Sequence, residues 1–163
     1  MSFESVFDEN SQVLILGTWP SPKSWEQGFY YGHPRNRFWP LLAFLTDEPL
    51  PQTIEEKKQL LLRHRIALWD VLESCTIQGA QDSTIEDPVP VEIERVLKQA
   101  PIRAVLCNGA AAHRLYQQFL LPITGIEAAK LPSTSPANAA WSMQRLQVAW
   151  GQELTPFLHD KNN

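Results

Sequence analysis

Apolar positions along the chain follow two rhythms. Continuous runs, "VLILG" at 13–17, "IALWDVL" at 66–72 and "RAVLCNG" at 103–109, predict short strands buried on both faces. Between them, apolar residues recur at helical spacing. "RFWPLLAFL" (37–45) places them at 38, 41, 42 and 45, with Pro40 acceptable in a first turn. "TIEEKKQLLLRHR" (53–65) opens with Thr53 and Glu56 at capping-box spacing and closes on Arg63, His64 and Arg65. "VPVEIERVLKQA" (89–100) carries Ile93, Val96, Leu97 and Ala100 before Pro101, and the stretch 110–120 carries Ala112, Leu115, Tyr116 and Phe119. "ITGIEAAKLPSTSPAN" (123–138) holds a weaker fourth strand and a loop of small polar residues. Ser135-Pro136 reads as a helix start, and Met143, Leu146, Trp150 and Leu154 form the last stripe.

Apolar strands alternating with helices predict an α/β fold: a three-layer α/β/α sandwich around a short, mostly parallel four-stranded sheet. With 163 residues and neither internal repeat nor linker, one domain over 1–163 is expected. Ligands of such sheets bind beyond the carboxyl ends of the strands. Those ends are Gly17 to Pro20, Asp70 to Cys75, Asn108-Gly109 and Leu131 to Asn138, so four separate segments converge on one crevice.

Composition narrows the classes. The chain is 44% hydrophobic and 20% charged, which places it among globular proteins. No apolar run nears the ~18 residues of a membrane span. The opening "MSFESVFDEN" lacks the basic start and apolar stretch of a secretory signal, so a cytoplasmic location is expected. Cys75 and Cys107 are too few for a disulfide framework, for CxxC zinc or for a four-thiolate cluster, and read as buried thiols. His33, His64, His113 and His159 are scattered, so neither metal nor cofactor is expected. Sequence signatures of serine hydrolases, P-loop NTPases, dinucleotide enzymes and zincins do not occur. The net charge of −4 argues against DNA binding through a global basic field. Charge is nonetheless uneven. Lys23, Arg35 and Arg37 face only Glu26 within 23–37, while acidic residues gather at 47–56, 82–94 and 153–160.

The basic part coincides with "GFYYGHPRNRFW" at 28–39, which offers flat rings, cations and one carboxamide in a single loop. Taken with "GTWPS" before it and "LPSTSPAN" at 131–138, this loop resembles the two signature regions of the uracil-DNA glycosylase superfamily. "LWDVLESC" (68–75) and "VLCNGAAAH" (105–113) are similar to the inner strand ends of the same superfamily, so the likeness covers residues 13–140 in order. In the mismatch-specific branch the turn after the first strand carries an Asn or Asp that handles the attacking water. Here Trp19 stands at that place. With "NRFW" and "LPSTSPAN", the pattern is most similar to the hypoxanthine-DNA glycosylase branch, which excises deaminated adenine.

That resemblance implies a monomeric repair hydrolase acting on DNA that contains a deaminated base. It would extrude the base and break its glycosidic bond without cofactor. Asn36 is the expected catalytic residue, either orienting water through its oxygen or stabilising the departing base. Gly17, Thr18, Trp19 and the stacking ring Tyr31 would border the base, with a protonated His33 as an alternative donor to it. Asp70 would read the N1–H that hypoxanthine has and adenine lacks, and Asn108 would do the same from the third strand. Lys23, Arg35 and Arg37 would meet phosphates. Ser133, Thr134 and Ser135 would hold a phosphate at a helix start, Pro136 and Ala137 would wedge the duplex, and Asn138 would touch the opposite base. Lys130 is the one lysine near the second loop that bears on Schiff-base chemistry.

Plainer readings stand beside these. Asn36 ahead of a helix is by itself an N-cap. His33 in Gly-His-Pro is equally a turn residue, the arginines equally surface ion-pair partners, and Ser133 to Ser135 equally a helix cap. Asp70 at a strand end is commonly satisfied by loop amides. Two other functions remain open on sequence alone: a uracil or mismatch-uracil glycosylase, and a catalytically silent module that binds damaged nucleic acid.

Overall fold

Four parallel strands, β1 (Val13–Gly17), β2 (Ile66–Asp70), β5 (Ala104–Asn108) and β6 (Ala128–Leu131), form the sheet in the order β2-β1-β5-β6. The computed structural model describes residues 3–76 and 85–158; His159, Asp82 and Asp160 therefore lie outside the described residues. β1 and β2 are buried along their whole length, which is why they read as unbroken apolar runs. β2 is nonetheless an edge strand. Val6 covers that edge through an antiparallel bridge to Leu68, with both N···O distances 2.9 Å.

Parallel neighbours need long crossovers, and helices fill them. Between β1 and β2 run α1 (Pro22–Gln27), α2 (Phe38–Thr46) and α3 (Ile54–Arg63). α3 starts at the expected capping box: Glu56 N donates to Thr53 Oγ1 at 3.0 Å and Thr53 N to Glu56 Oε1 at 3.2 Å. Between β5 and β6 run α5 (Ala110–Leu115), one π-helical turn (Tyr116–Leu120) and α6 (Leu121–Thr124). α7 (Met143–Leu154) follows β6 and packs on both β6 and α2. Helices thus flank the sheet in the α/β/α manner expected, and one hydrophobic cluster extends from Val6 to Leu154.

Three local expectations fail. The run 66–72 is not one strand: it breaks at Val71, and Leu72–Thr76 (β3) pairs antiparallel with Glu86–Pro90 (β4). Consequently the segment 89–100 is helical only over Glu94–Leu97 (α4), because Val89 and Pro90 are committed to the hairpin and Val91 N bonds Val71 O at 2.8 Å. Ser135-Pro136 starts no helix. Residues 135–138 form a turn closed by Asn138 N to Ser135 O at 3.0 Å, and the helix begins at Met143 under the N-cap of Ser142.

Candidate active site

The carboxyl ends of β1, β2 and β5 and the loop after β6 enclose a cavity of about 350 Å³. That lies at the lower end of ligand pockets, ~300–1,000 Å³. Its floor depends on Gly17. A Cβ there would sit 2.5 Å from Asp70 Oδ1 and 2.6 Å from the Tyr31 hydroxyl, so only glycine lets those two oxygens come together. Thr18, Trp19 and Asn108 line the same cavity, as do Ser133, Thr134 and Ser135. The convergence of four segments expected from the strand ends is what the structure contains. Cys75, at the end of the expected segment, also lines it and is half-buried rather than buried, and so does Trp25, which the sequence reading did not single out. Trp25, in α1, packs edge-on to Trp19 at 5.8 Å, so an aromatic residue shortly after the β1 end was the available signal.

Tyr31 adopts φ 54°, left-handed backbone that a tyrosine rarely takes. This turn sets its ring against Phe38, centroids 4.1 Å apart and 25° from parallel. The partly exposed ring thus has one face covered, while its hydroxyl is buried beside the Asn108 side chain with no well-formed hydrogen bond among the described residues. Burial, with the nearby charge of Asp70, pushes the phenol well above its usual range and keeps it protonated. Asp70 is 3% exposed, and its Oδ2 is likewise buried and unpartnered among the described residues. Desolvation pushes its carboxyl up to about 7. A buried polar atom left without a hydrogen bond costs roughly 1–3 kcal/mol, a cost that a polar ligand in the cavity would offset.

Asn36 lines the same cavity. Its Oδ1 accepts from Phe38 N at 2.9 Å and from Thr134 Oγ1 at 2.8 Å. The backbone donor fixes which end of the carboxamide is oxygen. Both lone pairs are then used, and the Nδ2 amide protons are the group without a partner among the described residues. Arg37, not Asn36, is the N-cap residue of α2, and the Asn36 oxygen instead closes a turn onto Phe38 N just ahead of it, while its nitrogen is left at the cavity. The oxygen is therefore engaged within the protein and the nitrogen is the end left available.

Several expected roles are corrected. Thr134 is fully buried, so it cannot hold a phosphate. Asn108 is committed in part: its Oδ1 accepts from Thr134 N and its Nδ2 donates to Thr134 Oγ1, both at 3.1 Å, which leaves one amide proton and one lone pair where it lines the cavity. Arg37 is not a free cation. Its guanidinium is spread over the carbonyls of Thr134 (3.4 Å), Ser135 (2.9 Å), Asn138 (3.0 Å) and Trp141, so it staples the second loop to the first. Those carbonyls, held by one side chain, explain why 135–138 turns instead of coiling. His33 does not line the cavity, and its Nδ1 accepts from Arg35 N at 3.0 Å, closing its own turn. Asn138 donates Nδ2 to Ser133 O at 3.0 Å within the loop.

The remaining cations differ in availability. Arg35 is exposed, and its guanidinium bonds none of the described residues, whereas Lys23 pairs with Glu26 at 3.1 Å on the surface. Pro136 and the exposed Ala137 sit at the tip of the stapled turn. Lys130 is exposed on β6 and does not line the cavity. Among the described residues no cluster suited to a metal ion occurs, and no helix is long and apolar enough to cross a membrane.

Comparison with known proteins agrees with this geometry. The model of the uracil DNA glycosylase superfamily matches residues 4–154. A hypoxanthine DNA glycosylase of Methanosarcina acetivorans is 39% identical over 145 residues, covering 88% of this chain and 90% of the relative. One from Methanosarcina barkeri is 35% identical over 153 residues, covering 92% and 94%. A solution structure of a candidate uracil DNA glycosylase from M. acetivorans superposes with a TM-score of 0.83 at 35% identity, over 96% of both chains.

Proposed function

Because the chain belongs to the uracil DNA glycosylase superfamily, we propose that it is a monofunctional DNA glycosylase that draws hypoxanthine out of DNA and hydrolyses its glycosidic bond. The extruded base enters the cavity beneath the β1 and β5 ends, and the face of Tyr31 turned away from Phe38 stacks on it. At the floor, Asp70 in its ionised form, which prevails only above its raised value of about 7, accepts the N1–H of hypoxanthine and meets the N1 lone pair of adenine. Refusal of undamaged adenine therefore sharpens as pH rises through that value.

Bond cleavage builds positive charge on the sugar and negative charge on the purine. Water adds to C1′, the bonding electrons leave on N9, and the base departs with a proton drawn ultimately from that water. Asn36 acts on the leaving group, its Nδ2–H donating to an acceptor of the purine as negative charge develops there. A donor of this kind is worth ~10²–10³ in rate. Arg35, exposed beside the cavity, meets a phosphate, and Pro136 and Ala137 form the wedge. The exposed position of Lys130 outside the cavity supports simple hydrolysis without strand cleavage.

The single observation that carries this reading is the Asn36 carboxamide, whose oxygen is doubly occupied while its nitrogen is free, among the described residues, at the wall of the cavity. The test is a set of end-labelled duplexes bearing deoxyinosine, deoxyuridine or no lesion, incubated with the protein and then treated with alkali. Cleavage at deoxyinosine that exceeds cleavage at deoxyuridine is expected. Clean cleavage at G·U with none at deoxyinosine would make the protein a uracil glycosylase, and binding without product on any lesion would make it a silent module.

A further inference from the structure

Thr134 has a fully buried side chain in a loop that otherwise reaches the surface. Its hydroxyl touches two carboxamides, yet no step of the hydrolysis draws on it directly. The protons along this chain of contacts have only one arrangement. Thr134 N is a donor, so the Asn108 atom that meets it is Oδ1, and the Asn108 atom that meets Thr134 Oγ1 is therefore Nδ2. Oγ1 accepts that bond and has one proton left to give. At the far end Phe38 N is also a donor, so the Asn36 atom it meets is Oδ1, and this same oxygen receives the Thr134 proton. A backbone N–H anchors each end, and the hydroxyl between them can point only one way.

We propose that Thr134 is the positioning residue of the reaction: bridging Asn108 and Asn36, its hydroxyl holds the Asn36 carboxamide with Nδ2 toward the cavity and ties that orientation to the seating of the loop 133–138. The inference rests on Asn36 acting on the leaving base. Its second half follows from Arg37, which binds the carbonyl of Thr134 through both its backbone N (3.1 Å) and Nε (3.4 Å) while holding Ser135 and Asn138. A loop pressed into a DNA groove therefore cannot shift without moving the hydroxyl that aims the catalytic amide. Rotation of Asn36 by half a turn would present an oxygen where a donor is needed. Two opposing contacts to one oxygen prevent that.

Thr134→Val keeps the shape and removes only the hydroxyl, and Thr134→Ser restores it. Single-turnover excision of hypoxanthine should fall roughly 10- to 100-fold in Thr134→Val. Affinity for duplex with an abasic site should stay within about twofold, since the buried hydroxyl is out of reach of DNA. Thr134→Ser should recover most of the rate. In an Asn36→Ala background Thr134→Val should have no further effect, because there is no amide left to aim. A measurement independent of turnover is the side-chain amide signal of Asn36 in a ¹H–¹⁵N spectrum, which should move in Thr134→Val and return in Thr134→Ser. The inference is overturned if the Thr134 and Asn36 effects multiply, or if Thr134→Val weakens binding while the bound rate holds. It also fails if the amide signal is unmoved. Wild type inactive on every lesion would instead overturn the functional reading, and the amide signal alone would then decide the positioning claim. Should Thr134→Val fail to fold, Thr134→Ser and the spectrum still test it.

Discussion

Asp70→Asn replaces a buried, unpartnered carboxyl with a neutral group of the same shape. Burial raises the Asp70 carboxyl from 3.8 to about 7, so the folded state holds its proton across a range where the unfolded chain has released it. The folded form therefore binds more protons than the unfolded form. Wild-type stability from this group is greatest below the unfolded value and declines as pH rises toward the folded value. A rise of that size corresponds to roughly 4 kcal/mol, an upper limit that water entering the cavity reduces. The carboxamide that replaces the acid does not titrate, so the stability of the variant relative to wild type should climb between pH 4 and 7 and level off above. In melting temperature that is an advantage of up to about 10 °C at pH 8, shrinking toward zero near pH 4. Urea unfolding of both proteins at pH 4.5, 6, 7 and 8.5 reads it directly, and other carboxylates cancel in the difference. The same variant should excise hypoxanthine poorly, exchanging function for stability at one site. A stability difference that is flat with pH, or a variant less stable at pH 8.5, would refute the picture of Asp70 as an uncompensated buried acid.

Two other substitutions probe the site's construction. Gly17→Ala should abolish excision while leaving secondary structure intact by circular dichroism, because its methyl must displace Asp70 Oδ1 or the Tyr31 hydroxyl; normal activity would show that the floor is not a binding surface. Arg37→Gln should slow excision and speed hydrogen exchange in the loop 133–141 without changing the salt dependence of DNA binding, since Arg37 holds carbonyls rather than phosphate. A salt slope reduced by about 1 would return Arg37 to the phosphates, and Arg35→Gln is the variant expected to give that reduction.

The sheet was readable because β1 and β2 are buried on both faces, and such strands announce themselves as unbroken apolar runs. Parallel order then placed the cavity, since every crossover returns its strand end to one edge. The β3–β4 hairpin was not readable. "LESCT" and "EDPVP" lack alternation, and their pairing is set by contact with each other rather than by either segment's own pattern. Among the cavity residues, Asp70 was visible from its place at a strand end, and Asn36 from its place in the aromatic, basic loop that carries the family resemblance. The meaning of Arg37, Asn108 and Thr134 was not. A cation in a basic loop looks like a phosphate ligand until its partners prove to be carbonyls about a hundred residues away, and a threonine among serines looks exposed until the fold closes over it.

In the proposed reaction Asn36 serves as a hydrogen-bond donor to the departing base, and Asn36→Asp tests that role most directly. One carboxylate oxygen can still accept from Phe38 N and Thr134 Oγ1, while the donor becomes a second acceptor. Single-turnover excision of hypoxanthine at neutral pH should fall by ~10² or more, with folding and abasic-site affinity preserved. A variant as fast as wild type, or faster, would mean that the position works by accepting from water, and donation to the leaving base would no longer explain catalysis.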